Sequence, residues 1–63
     1  MFEAFVIEDT RDGRYRSGIN FWVASPVRAM IYDSRFLAEK RMFEMFAGDP
    51  NYRVVCFEMV ERK

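Results

Sequence analysis

Two apolar runs, residues 2–8 and 52–60, carry hydrophobic side chains on both of their alternating faces. In the first, Phe2, Ala4 and Val6 fall on one face and Phe5 and Ile7 on the other. In the last, Tyr52, Val54, Cys56 and Val60 oppose Val55, Phe57 and Met59. A half-exposed strand alternates apolar with polar residues, so strands of this kind are expected to be central and covered on both sides. Only one segment of the chain reads as a helix, and one helix covers one face of a sheet. This mismatch constrains the fold more than any other feature.

The connecting sequence supplies turns and caps. Asp12-Gly13 is a hairpin signal, because glycine accepts the positive φ that the tight turn requires. Residues 14–17 return antiparallel. Gly18 marks a bulge, and residues 19–24 resume as strand until Pro26, which has no N–H to donate, stops it. Residues 29–32 suit a short edge strand. Asp33 and Ser34 are candidate N-caps. The helix is expected over residues 35–47, ended by Gly48 in the left-handed conformation and kept from resuming by Pro50. Residues 61–63 read as a solvated tail. The expected fold class is α+β: one domain over residues 1–63, with an antiparallel sheet of three to four strands and one helix packed on it, in the order β-β-(β)-α-β. The first and last strands are expected to be central neighbours.

A 63-residue chain needs support beyond its small core. One cysteine excludes an intrachain disulfide, and the absence of histidine leaves no structural zinc site. No cofactor is expected. The chain is 51% hydrophobic and 17% aromatic, which leaves packing and association as the remaining supports. Ten basic and ten acidic residues cancel, so no long-range field draws the chain to nucleic acid or to an anionic membrane. Residues 1–5 lack the basic and apolar pattern of a signal peptide, and no apolar run reaches membrane-spanning length. We expect a cytoplasmic protein.

Catalytic chemistry finds little purchase. Without histidine the acid–base candidates are carboxylates, tyrosines and Cys56, and no carboxylate pair has catalytic spacing. The chain is not expected to be an enzyme. Cys56, in an apolar strand with no basic residue within two positions, reads as a small buried hydrophobe. Asp9, Asp12 and Gly13 lack the remaining ligands of a calcium loop, and no phosphate-binding glycine motif is present.

The strongest constellation is the methionine and phenylalanine set Met30, Phe36, Met42, Phe43, Met45, Phe46, Phe57 and Met59. At about 100° per residue the apolar arc of the helix spans roughly half its circumference, wider than the stripe of about 100° that a sheet face needs. Glu39 falls inside that arc, positioned to reach solvent or to pair with Arg28 or Arg53. The excess apolar surface points to a protein partner or a second copy. The expected contact residues are Trp22, Phe36, Phe43 and Phe46, with Arg14 and Arg16 at the rim, because aromatics and arginine anchor interfaces. The alternative is a single-stranded nucleic-acid binder that uses Arg14, Tyr15, Arg16 and Trp22, with phosphates on guanidinium groups and bases stacked on rings.

The run Phe5-Val6-Ile7-Glu8-Asp9 and then Asp12-Gly13-Arg14-Tyr15 resembles the opening hairpin of small phage and prophage accessory proteins. The later order is similar too: Trp22, Ala29-Met30-Ile31-Tyr32-Asp33-Ser34, a helix with Ala38, and a closing Tyr52-Arg53-Val54-Val55. This chain departs from them in the many Phe and Met residues of its helix. The resemblance implies a factor in the host cytoplasm that binds and modulates or inhibits a host protein, including defence enzymes. It carries over no functional residue.

Overall fold

The computed structural model describes residues 2–18 and 21–59. Strand β1 (Phe2–Asp9) leads through a turn into β2 (Arg14–Gly18), then β3 (Phe21–Val23), a 3-10 turn over Pro26–Arg28, helix α1 (Arg35–Phe46) and β4 (Tyr52–Met59). The four strands form one antiparallel sheet in the order β3-β2-β1-β4. The fold is α+β, as the pattern of strands and one helix predicts.

The hairpin follows from local chemistry. The Asp9 carboxylate accepts from the Arg11 N–H at 3.0 Å, and the Asp9 carbonyl accepts from the Gly13 N–H at 2.9 Å. Gly13 takes φ +69 to close the turn. The register shift between Arg16 and Gly18 is the irregularity expected at Gly18.

The sheet differs from expectation in three places. β1 is central, but β4 is an edge strand, paired with β1 along its whole length from Phe2↔Met59 to Asp9↔Tyr52. Its two apolar faces therefore reflect the helix over one side and contacts among neighbouring side chains on the other, not a strand on each flank. The third strand ends at Val23, one residue before the expected Ala24; Ile19 and Asn20 lie outside the described residues, as do Val60 and residues 61–63. Residues 29–32 form no edge strand. Instead Tyr32 makes an isolated bridge to Phe5, with Phe5 N–H to Tyr32 O at 3.1 Å and Tyr32 N–H to Phe5 O at 2.9 Å. The Met30 N–H donates to Arg16 O at 2.8 Å. Residues 30–32 thus fill the gap where β2 diverges from β1, and they satisfy backbone groups that would otherwise be orphaned.

Ser34 caps α1, its hydroxyl accepting from the Leu37 N–H at 3.2 Å. At the other end both Ala47 (φ 51) and Gly48 (φ 79) are left-handed. Glycine was expected there alone; alanine adopts φ > 0 only with a steric penalty. Glu39 pairs with Arg35 one turn away, at 3.9 Å, and not with Arg28 or Arg53.

Alternation and register assign the two sheet faces. Phe5, Ile7, Tyr52, Val54 and Cys56 share one face, and α1 lies on it. At one end of the helix Phe46 stacks on Tyr52, and at the other the Arg35 guanidinium lies 5.5 Å from the Phe5 ring centroid. Ala38 is the helix's one fully buried side chain, and its small size lets the helix approach the sheet. The opposite face carries Phe2, Ala4, Val6, Tyr15, Val55, Phe57 and Met59 with no helix over it. There the larger side chains cover the smaller. Tyr15 and Phe57, from strands flanking β1, meet edge-to-face at 5.7 Å, and Ala4 and Val6 beneath them are buried.

Candidate functional site

Three features of the surface bear on function: the outward side of α1, the free edge of β4, and a hollow between α1 and the β2–β3 end of the sheet.

On α1, Phe36 and Phe43 are 73% and 67% exposed. They sit about two turns apart on one side of the helix. Arg41 and Met45 line the hollow together with Arg16, Trp22 and Met30, which marks their flank as the β2–β3 side. Phe43 lies roughly 160° around the helix from Met45 and Phe36 roughly 180° from it. Both phenylalanines therefore project outward and away from β2 and β3. Phe36, Met42 and Phe43 with Glu39 and Lys40 border a shallow groove of about 480 Å³.

The edge of β4 has a defined polarity. Phe5 directs its N–H and C=O to Tyr32, away from β4. Backbone groups alternate sides along a strand, so Ala4, Val6 and Glu8 make the β1–β4 bonds through Phe57, Val55 and Arg53. The N–H and C=O groups of Val54, Cys56 and Glu58 then point outward, with no partner strand among the described residues. An eight-residue edge without proline or glycine is a template for further pairing.

The hollow measures about 570 Å³. Trp22 and Phe46 line it, backed by Tyr52: Phe46 and Tyr52 stack at 3.8 Å, and Trp22 tilts against them at 6.2 Å and 5.7 Å. Arg16 reaches in from β2.

The six sequence-predicted contact residues do not share one surface. Phe36 and Phe43 are together and exposed. Trp22 and Phe46 are together but half-buried where the end of the helix meets the sheet. Arg14 is exposed on β2. Arg16 was expected at a solvated rim, but it is only 6% exposed, because its guanidinium donates from Nη1 to Tyr32 Oη at 3.0 Å and to Met30 Sδ at 3.3 Å. Tyr15 points to the sheet face opposite Arg14, Arg16 and Trp22. The hairpin thus offers no single face on which those four residues could meet a nucleic-acid strand.

Two carboxylates of the sheet, Asp9 and Glu8, are paired with arginines. Arg11 binds Asp9 at 2.9 Å, donates to Tyr52 Oη at 2.9 Å and lies 5.5 Å from the Tyr52 ring centroid. Its side-chain and backbone hydrogen bonds hold the Asp9 carboxyl below its usual range, and the Asp9 carboxylate raises the Arg11 guanidinium in turn. Arg53 holds Glu8 at 2.6 Å on the open face. Burial pushes the Cys56 thiol up, helped by its hydrogen bond to Glu3 at 3.3 Å, so Cys56 lacks the character of a thiolate nucleophile. Among the described residues no three acidic or cysteine side chains converge on a metal position. No helix is long and apolar enough to cross a membrane.

Sequence reasoning missed the hollow and the polarity of the β4 edge. Neither has a local signal: the first depends on Arg16, Trp22 and Arg41 meeting across three elements, the second on which side Tyr32 pairs with Phe5.

Compared with known proteins, the chain matches no family model, no curated protein and no solved structure.

Proposed function

We propose that this chain is a small non-enzymatic protein-binding module whose first partner is a second copy of itself. The supporting observation is the exposed pair Phe36 and Phe43 on the helix flank away from β2 and β3, beside the unpaired edge of β4. A lone domain rarely leaves such a combination bare.

A two-fold axis through Val55 pairs one β4 antiparallel with the other. Val54 then exchanges bonds with Cys56 of the second copy, and the Tyr52 carbonyl accepts from the Glu58 N–H, while the Tyr52 N–H keeps the Asp49 carbonyl at 3.3 Å. A two-fold perpendicular to the sheet keeps both helices on the same side, with their Phe36–Phe43 flanks toward each other. Charge favours this register. Glu58 lies opposite Glu3 within its own sheet, a like-charge pair. In the dimer it meets Tyr52 of the other copy, the residue that Arg11 contacts.

The dimer leaves the open face with Tyr15, Phe57 and Met59 for a further partner. The resemblance to phage accessory proteins supports a host protein in the cytoplasm, which this face would bind so as to modulate or inhibit it.

The register has a direct test in a Cys56→Ser, Val55→Cys chain. Opposed residues at a non-hydrogen-bonded position lie about 4.5 Å apart between Cα atoms, within disulfide range. Mild oxidation gives a covalent dimer if the pairing is right. A chain that stays monomeric under oxidation refutes the register.

A further inference from the structure

Arg16 presents an electrostatic problem that the interface does not solve. Its residue is 6% exposed, and its hydrogen-bond partners are neutral: the Tyr32 hydroxyl and the Met30 thioether. No carboxylate among the described residues lies within ion-pair distance of it. Burying a cation without a counter-charge is costly, and such groups are ordinarily paired. The buried carboxylates of this chain obey that rule: Glu8 has Arg53 and Asp9 has Arg11, both arginines being largely exposed.

The unpaired guanidinium borders the hollow of about 570 Å³, a size that suits a small ligand. Arg41 borders the same hollow from the helix and likewise makes no ion pair among the described residues. Between the two cations the wall is apolar: Trp22, Phe46, Met30 and Met45. A pocket with an aromatic wall and two arginines in its lining fits a flat apolar body that carries one oxyanion.

We propose that this hollow binds a small aromatic oxyanion, a carboxylate or phosphate ester, with the anion held between Arg16 and Arg41 and the ring against Trp22 and Phe46. Arg16 is the recognition residue: its charge is buried because the ligand supplies the missing counter-charge. Trp22 is the sole tryptophan of the chain, so its emission reports on the site without a label.

The test is a fluorescence titration of the intact chain with phenyl phosphate, benzoate and the neutral control phenol. Phenyl phosphate or benzoate should change Trp22 emission saturably while phenol does not, and the tighter of the two identifies the oxyanion. Arg16→Met replaces the buried cation with an apolar side chain of similar length and should keep the fold, checked by circular dichroism. It should weaken binding roughly ten- to hundredfold, the worth of a charged hydrogen bond. Should Arg16→Met fail to fold, Arg41→Ala, at an exposed helix position, should fold and weaken binding about tenfold. Three results would overturn the proposal: no saturable change with either anion, equal binding of phenol, or native affinity in the folded arginine variants.

Discussion

Phe46 stacks on Tyr52 with ring centroids 3.8 Å apart and planes 10° from parallel, and this contact joins the last turn of α1 to the first residue of β4. Only Ala47, Gly48 and the short turn after them separate the two in sequence. The helix is thus clamped to the strand that follows it, at the end where Trp22 arrives from the far edge. Phe46→Ala is expected to destabilise the fold by about 2 kcal/mol, less than a fully buried aromatic because Phe46 keeps some exposure. Chemical denaturation measures the loss, and a red shift of Trp22 emission reports the opened wall.

The turn between them stores strain at Ala47. A left-handed alanine costs roughly 1–2 kcal/mol that glycine avoids. Ala47→Gly is therefore expected to raise stability by about 1 kcal/mol after the entropy of glycine in the unfolded chain is counted. Gly48→Ala should lower it by a similar amount, although its added methyl group would meet Phe43 only at 3.7 Å, an ordinary contact. The opposite signs of two neighbouring substitutions, read from paired thermal melts, check the backbone assignment.

Acid should act through Asp9. Its carboxyl sits below the ordinary value of 3.8 because Arg11 donates to it from side chain and backbone. A lowered pKa means that the folded state binds fewer protons than the unfolded state in this range. The resulting stabilisation is present above the ordinary value and is lost as pH falls through the lowered one. Asp9→Asn should reduce stability at neutral pH and flatten the decline below about pH 4. Melts of the two chains between pH 2 and pH 7 measure both effects.

Much of the fold was legible in the sequence, for physical reasons that differ by element. Asp12-Gly13 and Ser34 act locally, so the hairpin and the helix start could be placed without tertiary information. The double-sided apolarity of β1 matches its central position and the cover on its two faces. The same pattern misplaced β4, because composition cannot distinguish a strand buried between neighbours from an edge strand lying under a helix. Phe36 and Phe43 stood out because the apolar arc of the helix exceeds what a sheet covers. Trp22 and Phe46 were grouped with them by residue type alone, and only packing separates the pair that lines the hollow from the pair that faces outward. Arg16 read as a surface cation because nothing in residues 14–18 reveals that residues 30–32 fold back over it.

The outward phenylalanines should be dispensable for folding. Phe36→Ser and Phe43→Ser remove exposed rings, and each should change stability by no more than about 0.5 kcal/mol. Each should nevertheless weaken self-association about tenfold or more, as loss of an aromatic interface anchor does. Sedimentation equilibrium of the variants beside the native chain separates the two effects.

The β4 edge makes a prediction that side-chain variants cannot. Proline is tolerated in an edge strand where its missing N–H faces outward and not where it faces the sheet. Glu58→Pro removes an outward N–H and should leave the monomer folded while breaking the dimer. Val55→Pro removes an N–H directed to β1 and should unfold the chain. Circular dichroism alongside gel filtration distinguishes these outcomes.

In the proposed dimer the free edge of β4 and the flank of α1 above it receive a second copy of the chain. Light scattering across a concentration series tests it most directly. A dimer gives the mass of two chains at high concentration, falling toward one on dilution, and Glu58→Pro gives the mass of one chain throughout. A native chain that stays well folded at the mass of one chain across the whole series would contradict it.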